Sequence, residues 1–334
     1  VPPSRTCGTM DAAYLYQQNS KGQNFLEEFE EWLQERIKED KKNNQPKATV
    51  YTIPVIVHVI HNSNEAVGQG RNISQAQVNS QIDVLNEDFR RTNADASQTP
   101  APFAAVAADI EIQFCKAMVD PNGNPLTEPG IHRVSATSIS GLSNTTTGYS
   151  QTTIDNVIKP ATSWDPNRYM NIWVCQLSGG LLGYAQFPSN SGLAGMPTNG
   201  GAANTDGVVV GYNYFGRVGT LSPPFNLGRT ATHEVGHWLG LRHIWGDGNC
   251  ATDYCNDTPT QSNATSGCPS YPNAAGCTGS PNPPGRMFQN YMDYSNDGCM
   301  NLFTADQKTR MRTVMQNSPR RVQLITSNVC SSPS

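Results

Sequence analysis

The eleven residues "HEVGHWLGLRH", 233 to 243, hold the densest chemistry in the chain. If this stretch begins as a helix, His233 and His237 lie one turn apart on the same face, and both imidazoles can reach one ion. Glu234 projects to the neighbouring edge, close enough to work on a water at that ion without being a ligand. Gly240 is where such a helix stops, because glycine takes the left-handed C-cap geometry without steric cost. The turn lets His243 swing back as a third ligand. Three neutral imidazoles leave one position of a zinc ion open, as in catalytic rather than structural sites. Zinc so held lowers the pKa of a bound water to about 7 and polarises a carbonyl. Glu234 is then placed to take the water's proton and pass it to a leaving amine. The remaining histidines, His58, His61 and His132, sit in no motif and read as ordinary strand or loop residues.

The elements that must position this helix are legible on both sides of it. "TVYTIPVIVHVI" (49–60) reads as a buried strand, "DIEIQFCKAMV" as an alternating one, "YMNIWVCQL" as another buried one and "DGVVVGY" as a short one. "SQAQVNSQIDVLNEDFRR" is a helix with Ser74 as N-cap, "QTTIDNVIKPA" a shorter helical stretch, and "TADQKTRMRTVMQN" the closing helix. Strands alternating with helices predict a mixed sheet with helical backing, an α+β chain. From 244 to about 300 regular structure nearly vanishes. Ahead of the first strand, "NFLEEFEEWLQERIKEDKK" places Phe25, Leu26, Phe29, Trp32, Leu33 and Ile37 on one helical face, and the polar "NNQPKA" (43–48) reads as an exposed linker.

The chain has 334 residues, a net charge of −4 and no apolar run long enough to cross a membrane. Its charges are mixed in sign, so there is no basic footprint for nucleic acid or a membrane surface. Nine cysteines are present, six of them between Cys250 and Cys330 in a stretch rich in Gly, Pro, Asn and Ser. Such a loop-rich segment is the kind that disulfides staple, which predicts an oxidising, extracellular compartment. An odd count leaves one thiol over.

The pattern of 233–243 is the metzincin signature, and "NYMDYSNDGCM" fits it. Met292 resembles the methionine turn beneath the zinc of that class, and Tyr294 matches the tyrosine that some members use to hydrogen-bond the tetrahedral oxyanion. With "HIWGDGNCATDYCNDTPTQ" and "GCP", the chain resembles the pappalysin family over roughly 50 to 320, in particular its compact microbial members. The resemblance implies a secreted zinc endopeptidase with a metzincin fold, a mixed twisted sheet over an irregular, disulfide-stapled lower subdomain. It implies His233, His237 and His243 as zinc ligands, Glu234 as general base and acid, and disulfides Cys250–Cys277 and Cys268–Cys299. Cys255 and Cys330 are extra and can pair with each other; Cys115 and Cys175, in two predicted strands, either bond or stay buried thiols. Structural calcium is known in the family, and Asp247, Asp253, Asp257 and Thr258 offer hard oxygens for it, with turn capping as the alternative. Asp297 falls where similar peptidases place an acid at the base of the pocket for the residue after the cut. That implies substrates with Arg or Lys there.

Some metzincin zymogens fill the open zinc position with a propeptide cysteine. Cys7 has that position, with Gly8 allowing close approach. The expected organisation is therefore a pro-segment over 1–46 and a catalytic domain over 47–334, divided at 243/244 into upper and lower subdomains. Lys41, Lys42 and Lys47 near the junction suit self-processing. The rival readings are a catalytically silent relative serving as a binding module, and a purely structural zinc closed by a fourth protein ligand.

Overall fold

The computed structural model describes residues 4–10, 25–43, 49–189 and 201–332. Six strands form one sheet in the order β2-β1-β4-β6-β5, with β3 also on β1. They are β1 (Tyr51–His61), β2 (Ile112–Lys116), β3 (Ile131–Ser135), β4 (Met170–Cys175), β5 (Gly183–Ala185) and β6 (Val208–Gly211). All pairings are parallel except β5 with β6. β1 is eleven residues long because it carries β2 along its first half and β3 along its second, with β4 on the other side. That explains its near-continuous apolar run, as expected of a parallel strand covered on both faces.

The long helices are α1 (Phe25–Lys42), α2 (Gln75–Phe89), α3 (Arg229–Trp238) and α4 (Ala305–Asn317). Ser74 caps α2 by accepting from the Gln77 amide at 3.1 Å. Thr304 and Gln307 close a reciprocal capping box on α4. "QTTIDNVIKPA" does become helical, in a broken run from Gln151 to Thr162 with a π-helical middle. β3 and β5 are the strands that periodicity does not reveal: β5 is three residues long, and β3 alternates over only five. One core lies between the sheet, α2, α3 and the lower subdomain, running from Val57 and Leu85 to Met292 and Met311. A second covers the opposite sheet face with Trp173, Tyr184 and the broken helix.

Both staples expected of the lower subdomain are present, Cys250–Cys277 and Cys268–Cys299. The other pairings differ from expectation. Cys330 bonds Cys115, not Cys255, because the C-terminal tail returns beside β2, where the Met118 amide donates to the Val329 carbonyl at 2.7 Å. Cys175 faces the second core from β4, away from Cys115, so Cys175 and Cys255 are buried free thiols. The expected boundary at 46/47 and Lys47 lie outside the described residues.

His58 and His132 are structural, as expected. His58 is fully buried between β1, β3 and β4, with its Nδ1 2.8 Å from His132 Nδ1 and its Nε2 2.7 Å from Asn171 Oδ1. Trp164 and Trp173 flank it. Burial, then His132, pushes its pKa down to about 3. The folded protein thus refuses a proton that the unfolded chain accepts near 6.5. Stability is fully present above 6.5 and lost as the pH falls towards 3. At pH 5 the loss from this group is about 2 kcal/mol. Thermal unfolding of the parent and of His58→Gln between pH 7 and 4 should show a shallower fall in the variant. Equal slopes would remove His58 as the source.

Candidate active site

α3 starts at Arg229 and carries both first histidines on its inner face. It ends at Trp238 with Leu239 as its C-cap, and Gly240, at φ +92°, turns the chain back. A Cβ at Gly240 would meet the Val314 methyl at 2.9 Å, so the turn needs glycine for space as well as for conformation. The three imidazoles then converge. Their Nε2 atoms are 3.2 Å apart for His233–His243, 3.2 Å for His233–His237 and 3.0 Å for His237–His243.

Each Nδ1 has its own acceptor. His233 donates to the Tyr291 carbonyl at 2.7 Å, His237 to the Leu241 carbonyl at 2.7 Å and His243 to Asp247 Oδ1 at 2.5 Å. A backbone carbonyl accepts only, so at His233 and His237 the proton is on Nδ1 and Nε2 carries a lone pair; the Asp247 carboxylate selects the same form at His243. Three lone pairs aimed at one point repel one another unless a cation sits between them. The donor set fits a metal ion. Burial, reinforced by the neighbouring imidazoles, holds His233 and His237 well below the usual histidine range, and they stay neutral.

Cys7 is the fourth member of this cluster; its sulfur and the three ring nitrogens lie within 4.8 Å of one another. The chain around it lies along the short strand β5: the Leu182 amide donates to the Thr6 carbonyl at 3.1 Å, and the Gly8 amide to the Gly183 carbonyl at 3.0 Å. Gly8 has Gln151 and Leu181 at 3.2 and 3.3 Å from where a Cβ would stand. Glu234 is buried beside the sulfur. Its Oε2 accepts from Thr9 Oγ1 at 2.8 Å and lies 3.3 Å from Cys7 Sγ. Burial lifts its pKa to about 7, against the lowering effect of those two contacts. The Tyr294 hydroxyl donates to the Cys7 carbonyl at 3.4 Å, and its ring packs on His243 and Trp245.

Met292 is fully buried beneath the helix, and a Cβ on Gly236 would come within 2.5 Å of its sulfur. The glycine between the two helical histidines therefore exists to seat the thioether, which the motif alone does not say. Asp297 is also fully buried. Its Oδ2 accepts from the Leu227 amide at 2.9 Å and the Arg229 amide at 3.2 Å. Its Oδ1 faces Arg5 Nη2 at 2.5 Å. Arg5 further donates from Nη1 to Thr230 Oγ1 at 2.9 Å and from Nε and Nη2 to the Ser295 carbonyl at 3.3 and 3.2 Å, with its guanidinium 5.0 Å over the Phe225 ring.

Asp247, Asp253, Asp257 and Thr258 are spread over separate hydrogen bonds. Asp247 holds His243; Asp253 accepts from Thr258 Oγ1 at 2.7 Å and the Cys255 amide at 3.0 Å. Asp257 accepts from Thr304 Oγ1 at 2.7 Å and the Asp306 amide at 2.8 Å, steadying the start of α4. Among the described residues the only cluster of three or more metal-ligating groups is Cys7 with the three histidines. Sequence reasoning missed Arg5, Thr9, Phe225 and Thr230, none of which stands in a motif. It also missed Arg229, which binds Asp88 and Asp95 through both edges of its guanidinium and the carbonyls of Asp297 and Met300 through Nη1. Its one visible signal is that it is the single Arg or Lys of its helix and stands in the first turn.

A histidine pair on a short helix, a glycine turn, a third histidine and a methionine floor under a sheet with one antiparallel rim strand together define a metzincin metallopeptidase. Residues 152–316 match the peptidase family described as Pregnancy-associated plasma protein-A. An extracellular metalloprotease of Pyricularia oryzae is 31% identical over 270 residues, 80% of this chain and 76% of that one. A Tannerella forsythia promirolysin mutant superposes with a TM-score of 0.75 at 40% identity, covering 96% of this chain and 97% of its own. Mature mirolysin of the same organism, in complex with a cleaved peptide, gives 0.68 at 43% identity over 84% and 97%. The chain belongs to that family, the pappalysins, and is an extracellular metalloendopeptidase.

Asp247 fixes the tautomer of the third histidine. Asp247→Ala should weaken metal binding by about 10- to 100-fold. Titration of the metal-loaded protein with a competing chelator reads this directly, and an unchanged affinity would show that the aspartate does not support the metal.

Proposed function

We propose that the protein is a zinc endopeptidase kept latent by its own first 46 residues, and that it cuts before arginine. The observation that carries this reading is the insertion of Arg5 and Cys7 together, the one on the Asp297 carboxylate and the other on the open side of the three histidines. Bound zinc would supply a Lewis acid at His233, His237 and His243. Glu234 serves as the base that takes a proton from the attacking water and delivers it to the leaving amine. Tyr294 stands over the carbonyl of a chain lying in the cleft, and its bond to the Cys7 carbonyl supports a role in holding developing negative charge there.

Asp297 is prepared for a cation because two backbone amides occupy one of its oxygens and leave the other to the guest. The surroundings of Arg5 favour arginine over lysine. Thr230, the Ser295 carbonyl and the Phe225 face use the planar fork of a guanidinium, and a single ammonium cannot reach all three. In latency, Cys7 would join the three histidines in holding the zinc, and Thr9 engages Glu234. The wider coverage of this chain by promirolysin than by mature mirolysin supports reading its beginning as the part a maturing enzyme loses. The reading includes a structural calcium ion at the acidic loop. Its support is that Asp247 Oδ2 is buried with no hydrogen-bond partner and that burial lifts Asp253 to about 6. A divalent cation beside either carboxylate would relieve it. The presence of Glu234 and of all three histidines sets aside a silent binding module.

Peptide-library cleavage by the full chain, with and without chelator, tests the assignment. The parent should be silent until its linker is cut and the N-terminal segment has left the cleft, and Cys7→Ala should hydrolyse peptides and autolyse early. A Cys7→Ala protein as intact and silent as the parent would end the latency model. Glu234→Ala should lose at least about a hundredfold in rate. In the active protein, Asp297→Ala should abolish the preference for arginine after the cut. Thr230→Val should narrow the arginine-to-lysine ratio of kcat/KM by about tenfold. An unchanged residue profile would remove Asp297 as the selectivity determinant.

A further inference from the structure

The N-terminal segment touches the protease body along two stretches, and Met10, just after the cleft residues, packs into the same apolar cluster as the second. Residues 5–9 lie in the cleft, whereas α1 lies in a groove on the far side of the Gly240 turn. Phe29, Trp32, Leu33 and Ile37 form one cluster with Phe187 and Val314, and the Phe29 and Phe187 rings meet edge-on at 5.2 Å. The groove is also charged at its centre. Glu30 is 4% exposed, and its carboxylate receives Arg310 through Nη1 at 2.5 Å and Nη2 at 3.0 Å. Arg242 is 3.9 Å from the same carboxylate and donates to the Leu26 carbonyl at 3.3 Å.

The groove residues also have ties to the body that do not involve α1. Arg310 Nη2 donates to the Gly240 carbonyl at 2.7 Å, and Arg242 and Arg310 lie 5.5 and 5.8 Å from the Tyr254 ring, so each cation has a contact on the body, a hydrogen bond for Arg310 and a ring face for Arg242. Val314 packs at the Gly240 turn. Removing α1 would uncover an apolar strip beside a buried arginine that has lost its carboxylate, a costly state. An acidic amphipathic helix relieves it.

We propose that the groove formed by Phe187, Arg242, Tyr254, Arg310 and Val314 is a helix-binding site separate from the cleft, and that its occupant after maturation is the cut α1 itself. The proposal rests on the reading of residues 1–46 as a pro-segment. A cut between α1 and β1 breaks none of the contacts just described. The severed fragment still holds the body at two points, and each keeps the other at high effective concentration. Cutting the linker and losing the N-terminal segment are therefore distinct events, and the second requires the release of α1.

The test places a site for a sequence-specific protease in the linker of the full-length chain and cuts the folded protein. A Glu234→Ala background keeps the body from digesting the fragment. Native mass spectrometry and gel filtration should find the fragment still on the body. It should stay bound when Arg5→Ala and Cys7→Ala disable the cleft contacts, and dissociate about thirtyfold faster with Glu30→Gln. If the Glu30→Gln chain does not fold, a synthetic peptide of residues 25–43 should displace the fragment, and the same peptide carrying Glu30→Gln should do so poorly. A fragment that leaves on cutting once the cleft contacts are disabled, or a Glu30→Gln peptide that competes equally, would overturn the proposal. Because this readout does not use activity, failure of the latency model alone would leave it standing.

Discussion

Three imidazole lone pairs must be held about 3 Å apart, and most of the molecule is arranged around that demand. Each ring is oriented by an acceptor from a different part of the chain: the Tyr291 carbonyl in the lower subdomain, the Leu241 carbonyl after the glycine turn and the Asp247 carboxylate in the following loop. The helix alone could align two of them. The third requires the turn at Gly240, and that turn is packed from outside by Val314 of α4 and bonded by Arg310. A helix near the end of the chain therefore fixes the geometry of a site seventy residues earlier. The methionine beneath the histidines works in the same way, filling the space that the missing side chain of Gly236 leaves.

Buried ion pairs tie the cleft to the rest of the fold. Arg229 begins the active-site helix and binds Asp88 on α2, Asp95 on the following loop and the backbone around Asp297. Tyr291 and Thr232 add hydroxyl donors to the Asp88 carboxylate. Such clusters contribute little net stability over apolar packing, but removing one partner leaves a charge stranded. Their effect here is positional. Asp297 is presented to the cleft with one oxygen already committed to the backbone, so a guest guanidinium meets an acceptor that needs no rearrangement.

The zinc motif, strands β1, β2, β4 and β6 and all four long helices were legible because each rests on local periodicity or on a fixed spacing. So were the two staples of the lower subdomain, through family resemblance, which also singled out Met292 and Asp297, both of them buried at the site. What was not legible depends on which distant segments meet. β5 has too few residues to show a period, yet it forms the rim on which the N-terminal tip lies. Cys330 pairs with Cys115 because the tail returns to an edge strand, and no count of cysteines reveals that route. Arg5 lay two residues from the odd cysteine, in plain view. Its meaning appears only when Asp297, 292 residues away, is opposite it.

The order of Arg5 and Cys7 explains how a peptide can occupy the cleft in latency and survive. In the proposed reaction, the pocket of Asp297 receives the residue that follows the cut, so the bond under attack lies on the N-terminal side of the arginine. Here the chain approaches the histidines on the C-terminal side, through Thr6 to Cys7. Its pairing with β5 is parallel, as the bridge at Cys7 and Gly183 requires. On that proposal the tip runs opposite to a substrate while using the same pocket. The bond preceding Arg5 is carried away from Glu234, and what faces Glu234 instead is a thiol and the Thr9 hydroxyl. Reversal lets one segment borrow the recognition chemistry of a substrate without presenting a bond to cut.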